Sequence, residues 1–119
     1  MPYLSFIRAR ENQGPPPRAL MDAMGPFVQK SLADGSVIQT GGLAQGSSGF
    51  RIRMTGGKLK TIDGPYAEAK EVIGGWALLG AKTREEAVKT AQRFMDLHIT
   101  HWPEFECECE VREITFLAP

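Results

Sequence analysis

Two arginines in one short segment are the residues best suited, by type and spacing, to bind a negatively charged ligand. Residues 49–55 alternate between apolar and basic side chains, which predicts a strand with two different faces. Arg51 and Arg53 share one face, and guanidinium groups donate hydrogen bonds in a planar array that matches carboxylates and phosphates. If the other face packs on helices, both arginines point toward a partner's sheet, where they would bind an anionic ligand. The apolar residues of that other face are Phe50, Ile52 and Met54.

The same arginines also admit a structural interpretation. Near the end of the chain, Glu106, Glu108 and Glu110 alternate with apolar residues and therefore share one face of a predicted strand. Arg51 and Arg53 could pair with this acidic row as structural or interface charges. The residue pattern leaves both interpretations open.

Asp63 is the candidate catalytic residue, because it places a carboxylate at the end of a predicted strand. Such a group can act as a general base, a general acid or an anchor for a ligand. The simpler interpretation is that Asp63 accepts hydrogen bonds from backbone N–H groups of its own turn and fixes Gly64 and Pro65. The sequence does not decide between a functional and a structural Asp63.

Three further residues complete the set of candidate ligand-binding positions. Glu68 and Lys70 could line a pocket or, together with Glu71, form local ion pairs that hold the loop. Trp76 is expected either in the core or as the wall of a cavity. With Arg51 and Arg53, these residues are the predicted lining of a small-molecule site.

The histidines and cysteines do not predict a metal site. The spacing of His98 and His101 relative to Cys107 and Cys109 matches none of the usual zinc patterns. The two cysteines stand two residues apart in a predicted strand, at the outer limit of disulfide geometry. Reduced, packed thiols are therefore expected, as in cytoplasmic proteins.

Length and composition predict one domain over residues 1–119, with the protein in the cytoplasm. The chain has 14 Lys plus Arg and 14 Asp plus Glu, so its formal net charge is zero. Proteins that bind nucleic acid usually have an excess or a cluster of basic residues, so a nucleic-acid partner is not expected. A membrane span needs about 20 consecutive apolar residues, so no association with a membrane is expected either. Zero net charge weakens repulsion between copies and so favours self-association.

The order of elements predicts an α+β fold with a ferredoxin-like sheet and helices on one face. Strands are expected near residues 3–9, 36–43, 49–55, 58–62, 72–81 and from 105 onward. Helices are expected over 18–34 and from a Thr83–Glu86 capping box to about His98. The first strand and the one before the second helix are apolar on both faces, which is typical of central strands. The sheet face without helices needs a cover for its Trp, Leu and Cys side chains, and a second copy of the sheet is the simplest cover.

Residues 63–76, Asp-Gly-Pro-Tyr-Ala-Glu-Ala-Lys-Glu-Val-Ile-Gly-Gly-Trp, resemble the DGPF branch of the YCII-related family. Members of that branch carry Asp-Gly-Pro-Phe-Ala-Glu-x-Lys-Glu, a short apolar link and Gly-Gly followed by an aromatic residue. Tyr66 replaces the usual Phe. The resemblance implies a ferredoxin-like fold that dimerises into an α+β barrel with a cavity between the sheets.

The resemblance implies little about activity, because most members of this branch have no assigned reaction. Some relatives are small lyases, isomerases or dehalogenases, and one group uses a His–Asp pair with the His in or near the first helix. This sequence has no His before His98, so that pair cannot be transferred. Members of the branch are also often encoded beside alternative sigma factors, which implies an accessory or regulatory role.

Two hypotheses for the function follow. The first is a homodimer with a small anionic ligand bound between the sheets, with any reaction resembling that of a small lyase or isomerase. The second is a non-catalytic accessory or interaction protein, for example one linked to alternative sigma factors. We expect no cofactor in either case.

Overall fold

The computed structural model describes residues 2–44, 48–64 and 71–118. Within these residues, the strands and helices follow the predicted order. In chain order the elements are β1 (Tyr3–Arg10), α1 (Arg18–Asp34), β2 (Val37–Gly42), β3 (Phe50–Thr55), β4 (Lys58–Asp63), β5 (Glu71–Leu79), α2 (Arg84–His101) and β6 (Cys107–Glu113).

Four of the strands form an antiparallel sheet in the order β2-β5-β1-β6. The two doubly apolar strands, β1 and β5, lie in the middle as their sequences predict. This strand order, with a helix in each crossover, is that of the ferredoxin-like fold. The predicted α+β, ferredoxin-like fold class is therefore confirmed.

One face of the main sheet packs against the helices and forms the core. Val37, Leu79 and Ala81 cluster there with Ala87 of α2, and all four side chains are buried. Alternate residues of β1 point to the same side, so Ile7 is buried as well. Burial of this apolar surface is the main favourable contribution to folding.

Local signals set the ends of both helices. Gly35 ends α1 in the left-handed conformation, at φ 82°. At the start of α2, the Thr83 hydroxyl accepts a hydrogen bond from the Glu86 backbone N–H at 3.2 Å, while the Glu86 carboxylate accepts one from the Lys82 N–H at 2.8 Å. The predicted cap is thus present, with Glu86 reaching one residue further back than in the usual capping box. Helix α2 continues to His101, three residues beyond the predicted end.

The remaining two strands form a hairpin of their own, which we call the arm (residues 50–63). Gly56 and Gly57 turn the chain with φ of 58° and 74°, a conformation that glycine adopts without a steric cost. Within the described residues, β3 and β4 pair with each other and with no other strand. The predicted hairpin is confirmed, and it lies outside the main sheet.

The main sheet has a second face that no helix covers. Phe6 lies directly opposite Trp76, and Leu4 opposite Leu78, so these side chains share one face of the sheet. That face is the reverse of the one that buries Ile7. We call it the open face, and its apolar residues on β1 and β5 are Leu4, Phe6, Ile73, Trp76 and Leu78.

The cysteines do not belong to the open face, contrary to the prediction. Cys107 lies opposite Ala9, and Cys109 opposite Ile7, and both of these β1 residues are buried beneath the helices. Glu108 and Glu110 take the open face instead, since they lie opposite Arg8 and Phe6. The prediction erred because period-two alternation separates the two faces of a strand but does not say which of them meets the helices.

Candidate functional site

The arm presents two chemically different faces. The register pairs Arg53 with Lys60 and Thr55 with Lys58, so residues from both strands share each face. Four cations lie on one side, which we call the basic face: Arg51, Arg53, Lys58 and Lys60. The other side, which we call the apolar face, carries Phe50, Ile52, Met54 and Leu59.

The apolar face of the arm does not pack on the helices. Phe50 is 64% exposed, Ile52 is 59%, Met54 is 76% and Leu59 is 72%. The arginines were predicted to point toward a partner's sheet on the condition that this apolar face packs on the helices. Within this chain that condition is not met. The physical reason is the Gly56–Gly57 turn, which brings β4 beside β3. The backbone N–H and C=O groups of β3 then pair with those of β4 and not with the main sheet.

Lys58 and Lys60 are candidate binding residues that sequence reasoning missed. The signal was present, because a two-residue Gly-Gly turn fixes the register of a hairpin. That register pairs residue 55 with residue 58 and residue 53 with residue 60. The two lysines then fall on the face of Arg51 and Arg53 without any further information.

Asp63 lies at the base of the arm, exposed and away from the arginines. It pairs with Phe50 at the end of β4, and so belongs to the apolar face. The backbone next to it is fixed by a hydrogen bond from the Gly64 N–H to the Gly49 carbonyl, at 2.9 Å. The turn that Asp63 was predicted to stabilise continues into residues 65–70, outside the described residues. Its catalytic or structural role therefore stays a prediction.

Trp76 lies on the open face of the main sheet, half buried. Its ring packs over Gly41 of the neighbouring strand, where an added Cβ would come within 3.0 Å of the indole. The structure thus places Trp76 on one sheet and Arg51 and Arg53 on another. Glu68 and Lys70, the other two predicted lining residues, lie outside the described residues.

The acidic row pairs with arginines other than those of the arm. Glu110 accepts a hydrogen bond from Arg8 at 3.0 Å and a second from Arg112. These bonds hold the pKa of Glu110 below its ordinary value. Glu106 lies 3.7 Å from Arg10. Within the described chain Glu106 and Glu110 thus lie beside arginines of the main sheet, and pairing of Glu106, Glu108 or Glu110 with Arg51 and Arg53 across an interface stays a prediction.

A groove of about 770 Å³ lies between α2 and β6. Both cysteines line it as free thiols, and Cys109 Sγ lies 3.3 Å from Ser5 Oγ. Burial raises the pKa of the Cys107 thiol, and a negative charge on Cys109 would raise it further. A thiol with a raised pKa is a poor nucleophile at neutral pH, so Cys107 is not a reactive cysteine. Its other lining residues include Val88, Met95 and Val111.

The histidines belong to the packing at the end of α2. His98 is buried, and its Nδ1 lies 3.2 Å from the Phe94 carbonyl oxygen. The ring of Phe94 lies edge-on to the imidazole at 4.8 Å, and Phe105 is stacked with Trp102 at 4.0 Å. In the part of the chain that the structure describes, no group of three or more His, Cys, Asp or Glu could hold a metal ion. Across the same residues, neither helix combines the length and apolar character required to cross a membrane.

Comparison with known proteins gives one match. A family model described as the YCII-related domain matches residues 1–95, which covers β1 through most of α2. No curated protein matches the sequence. The match includes the arm and the segment that resembles the DGPF branch.

Proposed function

The chain belongs to the YCII-related domain family, and on that basis we propose that it is a homodimer that binds a small anionic ligand through the basic face of the arm. The observation that carries the proposal is the set of four cations on one side of two paired strands. Those cations are Arg51, Arg53, Lys58 and Lys60.

The spacing of these cations suits an anion with several oxygens. Cross-strand neighbours such as Arg53 and Lys60 have Cβ atoms about 5 Å apart, and residues two apart on one strand lie about 7 Å apart. Flexible side chains at these separations can converge on one carboxylate or phosphate group. Because the whole chain has zero net charge, this local excess of positive charge is a property of the arm and not of the protein surface in general.

We place the ligand between the two protomers of the homodimer, as the family resemblance implies. In that position Trp76, Asp63, Glu68 and Lys70 are the proposed additional lining. Binding without catalysis is the simpler proposal, since His98 is committed to an aromatic cluster and Cys107 is held as a neutral thiol. Any catalysis would depend on Asp63.

The binding proposal is tested by titrating inorganic phosphate and citrate into the protein and following the melting temperature and the heat of binding. We expect saturable binding that Arg53→Ala and Lys60→Ala each weaken about tenfold, the loss typical of one charge-assisted hydrogen bond. Lys89→Ala, which removes an exposed cation from α2, is the matched control and should bind like wild type. Equal affinity in all four proteins would refute the site.

The second candidate function is a non-catalytic interaction protein with a macromolecular partner, for example in regulation by alternative sigma factors. The observation in its favour is the apolar face of the arm, since exposed apolar patches often mark protein interfaces. Arg53→Ala separates the two functions, since it weakens anion binding under the first proposal and leaves a contact made through the apolar face unchanged. Asp63→Asn tests the structural role of Asp63, which predicts a lower melting temperature.

A further inference from the structure

Both cysteines of the chain and one methionine line the groove between α2 and β6. Cys107 and Cys109 lie on β6, and Met95 lies on α2. Both thiols are free and only half buried, so small solutes can reach them through the groove. Three sulfur-bearing side chains from two elements therefore face one space, and thiolate and thioether sulfurs are the donors that soft metal ions prefer.

The two elements that form the groove run in opposite directions. Glu113, at the end of β6, lies opposite Tyr3, and Tyr3 lies opposite Leu79 on the other side of β1. Helix α2 begins at Arg84, shortly after Leu79. Tyr3, Arg84 and Glu113 all line the groove, so the start of α2 and the end of β6 lie at the same end of it.

This arrangement places Met95 level with the two cysteines. A helix rises about 1.5 Å per residue, so Met95 lies about 16 Å along α2 from Arg84. A strand rises about 3.3 Å per residue, so Cys109 lies about 13 Å and Cys107 about 20 Å from Glu113 along β6. Met95 therefore stands opposite the gap between the two thiols.

The spacing of the two cysteines suits a bridging metal ion better than a disulfide bond. Residues two apart on a strand have Cα atoms about 6.5–7 Å apart, which is the outer limit for a disulfide. A metal ion spans a wider gap, because two metal–sulfur bonds of about 2.3 Å replace one sulfur–sulfur bond of about 2.05 Å. The spacing that keeps the thiols reduced thus leaves them able to bind a metal.

The surroundings of the three sulfur atoms favour a soft cation of low charge. Glu108, which stands between the cysteines in the chain, turns its side chain to the open face. Glu113, the other carboxylate among the described lining residues, lies at the opposite end of the groove. Hard cations such as Mg²⁺ and Ca²⁺ need several oxygen ligands, which this end of the groove does not offer. Its other lining residues near Met95 are apolar, namely Val88, Ala91 and Val111.

We propose that Cys107, Cys109 and Met95 bind one Cu(I) ion. The two thiolates are the main ligands, and the Met95 thioether is the third. Binding displaces one proton from each thiol, so the ion with its two thiolates carries a net charge of −1, and the copper stays in the Cu(I) state throughout. Zinc spacing rules do not cover this set of donors, because its third member is a thioether on another element.

Ser5 is a positioning residue for this site. Its side chain is buried, and its Oγ lies 3.3 Å from Cys109 Sγ. When Cys109 is a thiolate, the hydroxyl donates its hydrogen to the sulfur and fixes the direction of the metal–sulfur bond. Hydrogen bonds of this kind to metal ligands commonly contribute tenfold or more to metal affinity.

Proton release makes Cu(I) binding depend on pH. Burial, and then the charge of Cys109, raise the pKa of the Cys107 thiol, so the ion must displace the Cys107 proton at neutral pH. Two thiolates also repel each other, and a cation between them removes that repulsion. The apparent affinity for Cu(I) should therefore rise with pH and fall in acid.

Competition for Cu(I) under anaerobic conditions tests the site. The protein is titrated into the coloured complex of Cu(I) with bicinchoninate, and the loss of absorbance measures the Cu(I) transferred. We expect the wild type to take up one Cu(I) per chain, and Cys107→Ser and Cys109→Ser to take up none. Met21→Leu changes a methionine of α1 that is 57% exposed, and this matched control should bind Cu(I) like the wild type.

Met95→Leu tests the contribution of α2, because it removes the thioether and keeps nearly the same side-chain volume. We expect the affinity for Cu(I) to fall about tenfold in Met95→Leu and in Ser5→Ala, the smaller of the losses seen when a supporting group of a metal site is removed. An unchanged affinity in Met95→Leu would overturn the three-sulfur site.

Three further outcomes of the competition would overturn the proposal. Full transfer of Cu(I) to a protein that carries both Cys107→Ser and Cys109→Ser would show adventitious binding only. One Cu(I) for every two chains would place the ion between copies. Displacement of Cu(I) by an equal concentration of Zn²⁺ would show that the site does not prefer a soft ion.

Alkylation of the wild-type protein tests the site without any substitution. Iodoacetamide is added at about pH 9, where cysteines near their ordinary pKa are largely ionised, and mass spectrometry counts the modified thiols. We expect the protein alone to be modified and the Cu(I)-loaded protein to keep both cysteines intact. Equal modification with and without Cu(I) would overturn the proposal.

Discussion

Trp76 lies over the main sheet because its neighbour on β2, Gly41, has no side chain. The ring occupies the space above that glycine, and a Cβ at position 41 would come within 3.0 Å of it. Gly42, the next residue, has nothing within 4 Å of the place where its Cβ would stand. The two adjacent glycines therefore have different roles, and only Gly41 is required by packing.

Gly41→Val should displace the Trp76 ring from the open face. We expect a lower melting temperature and a red shift in tryptophan emission, because the displaced indole becomes more exposed to water. Gly42→Val is the matched control and should leave the position of the emission maximum unchanged. Identical spectra for the two variants would contradict this role for Gly41.

Glu110 makes the stability of the chain depend on pH on the acid side. Hydrogen bonds from Arg8 and Arg112 hold its folded-state pKa below the ordinary value near 4.5. A carboxyl group with a lowered pKa contributes stability that is present above its unfolded-state pKa and is lost as the pH falls through the folded-state value. Protonation of Glu110 therefore contributes to acid unfolding.

Glu110→Gln should flatten the fall of the unfolding free energy below about pH 4.5, because the variant has no proton to take up at this position. Urea unfolding at a series of pH values measures the effect. Arg8→Met, which removes a donor and keeps the carboxyl, should flatten the curve in the same direction. Curves that stay parallel to wild type would show that the Arg8–Glu110 pair does not control acid stability.

At the scale of elements, α2 and the arm differ in how they are stabilised. Helix α2 has a capped start and buries Ala87 and Thr90 against the sheet and α1. The cap stabilises the helix locally, in addition to its tertiary contacts. The sequence pattern was therefore sufficient to predict its position. The arm has a well-defined turn and register, but the chain as described leaves both of its faces exposed. The sequence pattern therefore predicts its turn and register but not what its two faces meet.

Removal of the α2 cap by Thr83→Ala should destabilise the protein by about 1 kcal/mol, the usual contribution of a threonine at this position. The hydroxyl that accepts from the Glu86 N–H is lost, and no buried contact is disturbed. Chemical denaturation measures the change in unfolding free energy. Thr83→Ser retains the hydroxyl and should restore most of it, and a Thr83→Ala protein as stable as wild type would contradict the role of the cap.

At the scale of the whole molecule, the chain has a small core for its length. Eight apolar residues of the described chain are buried, and none of its large side chains is fully enclosed. The open face and the arm are two expressions of this shortage. The homodimer proposed above would supply the missing packing.

The homodimer predicts a mass of twice 13.1 kDa by light scattering at micromolar concentration. High salt should leave the mass unchanged, because apolar burial is the main contribution to the contact and salt does not screen it. Dilution should then give a monomer with a lower melting temperature, since dissociation removes stability by mass action. A monomer at micromolar concentration would refute the homodimer.

The sequence by itself determined the elements, their order and the fold class. Local rules sufficed, because the Gly56–Gly57 turn, the Thr83 cap and the doubly apolar strands each report on residues near them in the chain. The register of the arm, and with it the position of Lys58 and Lys60, was also available from the turn.

Only the tertiary structure decided which faces meet. Alternation separates Cys107 and Cys109 from the glutamates but does not say that the cysteines turn to the helices. It separates Arg51 and Arg53 from an apolar row but does not say that the row stays uncovered. These outcomes depend on which strands pair across the sheet, and such pairing joins residues far apart in the chain, whose contacts leave no periodic signal in the sequence.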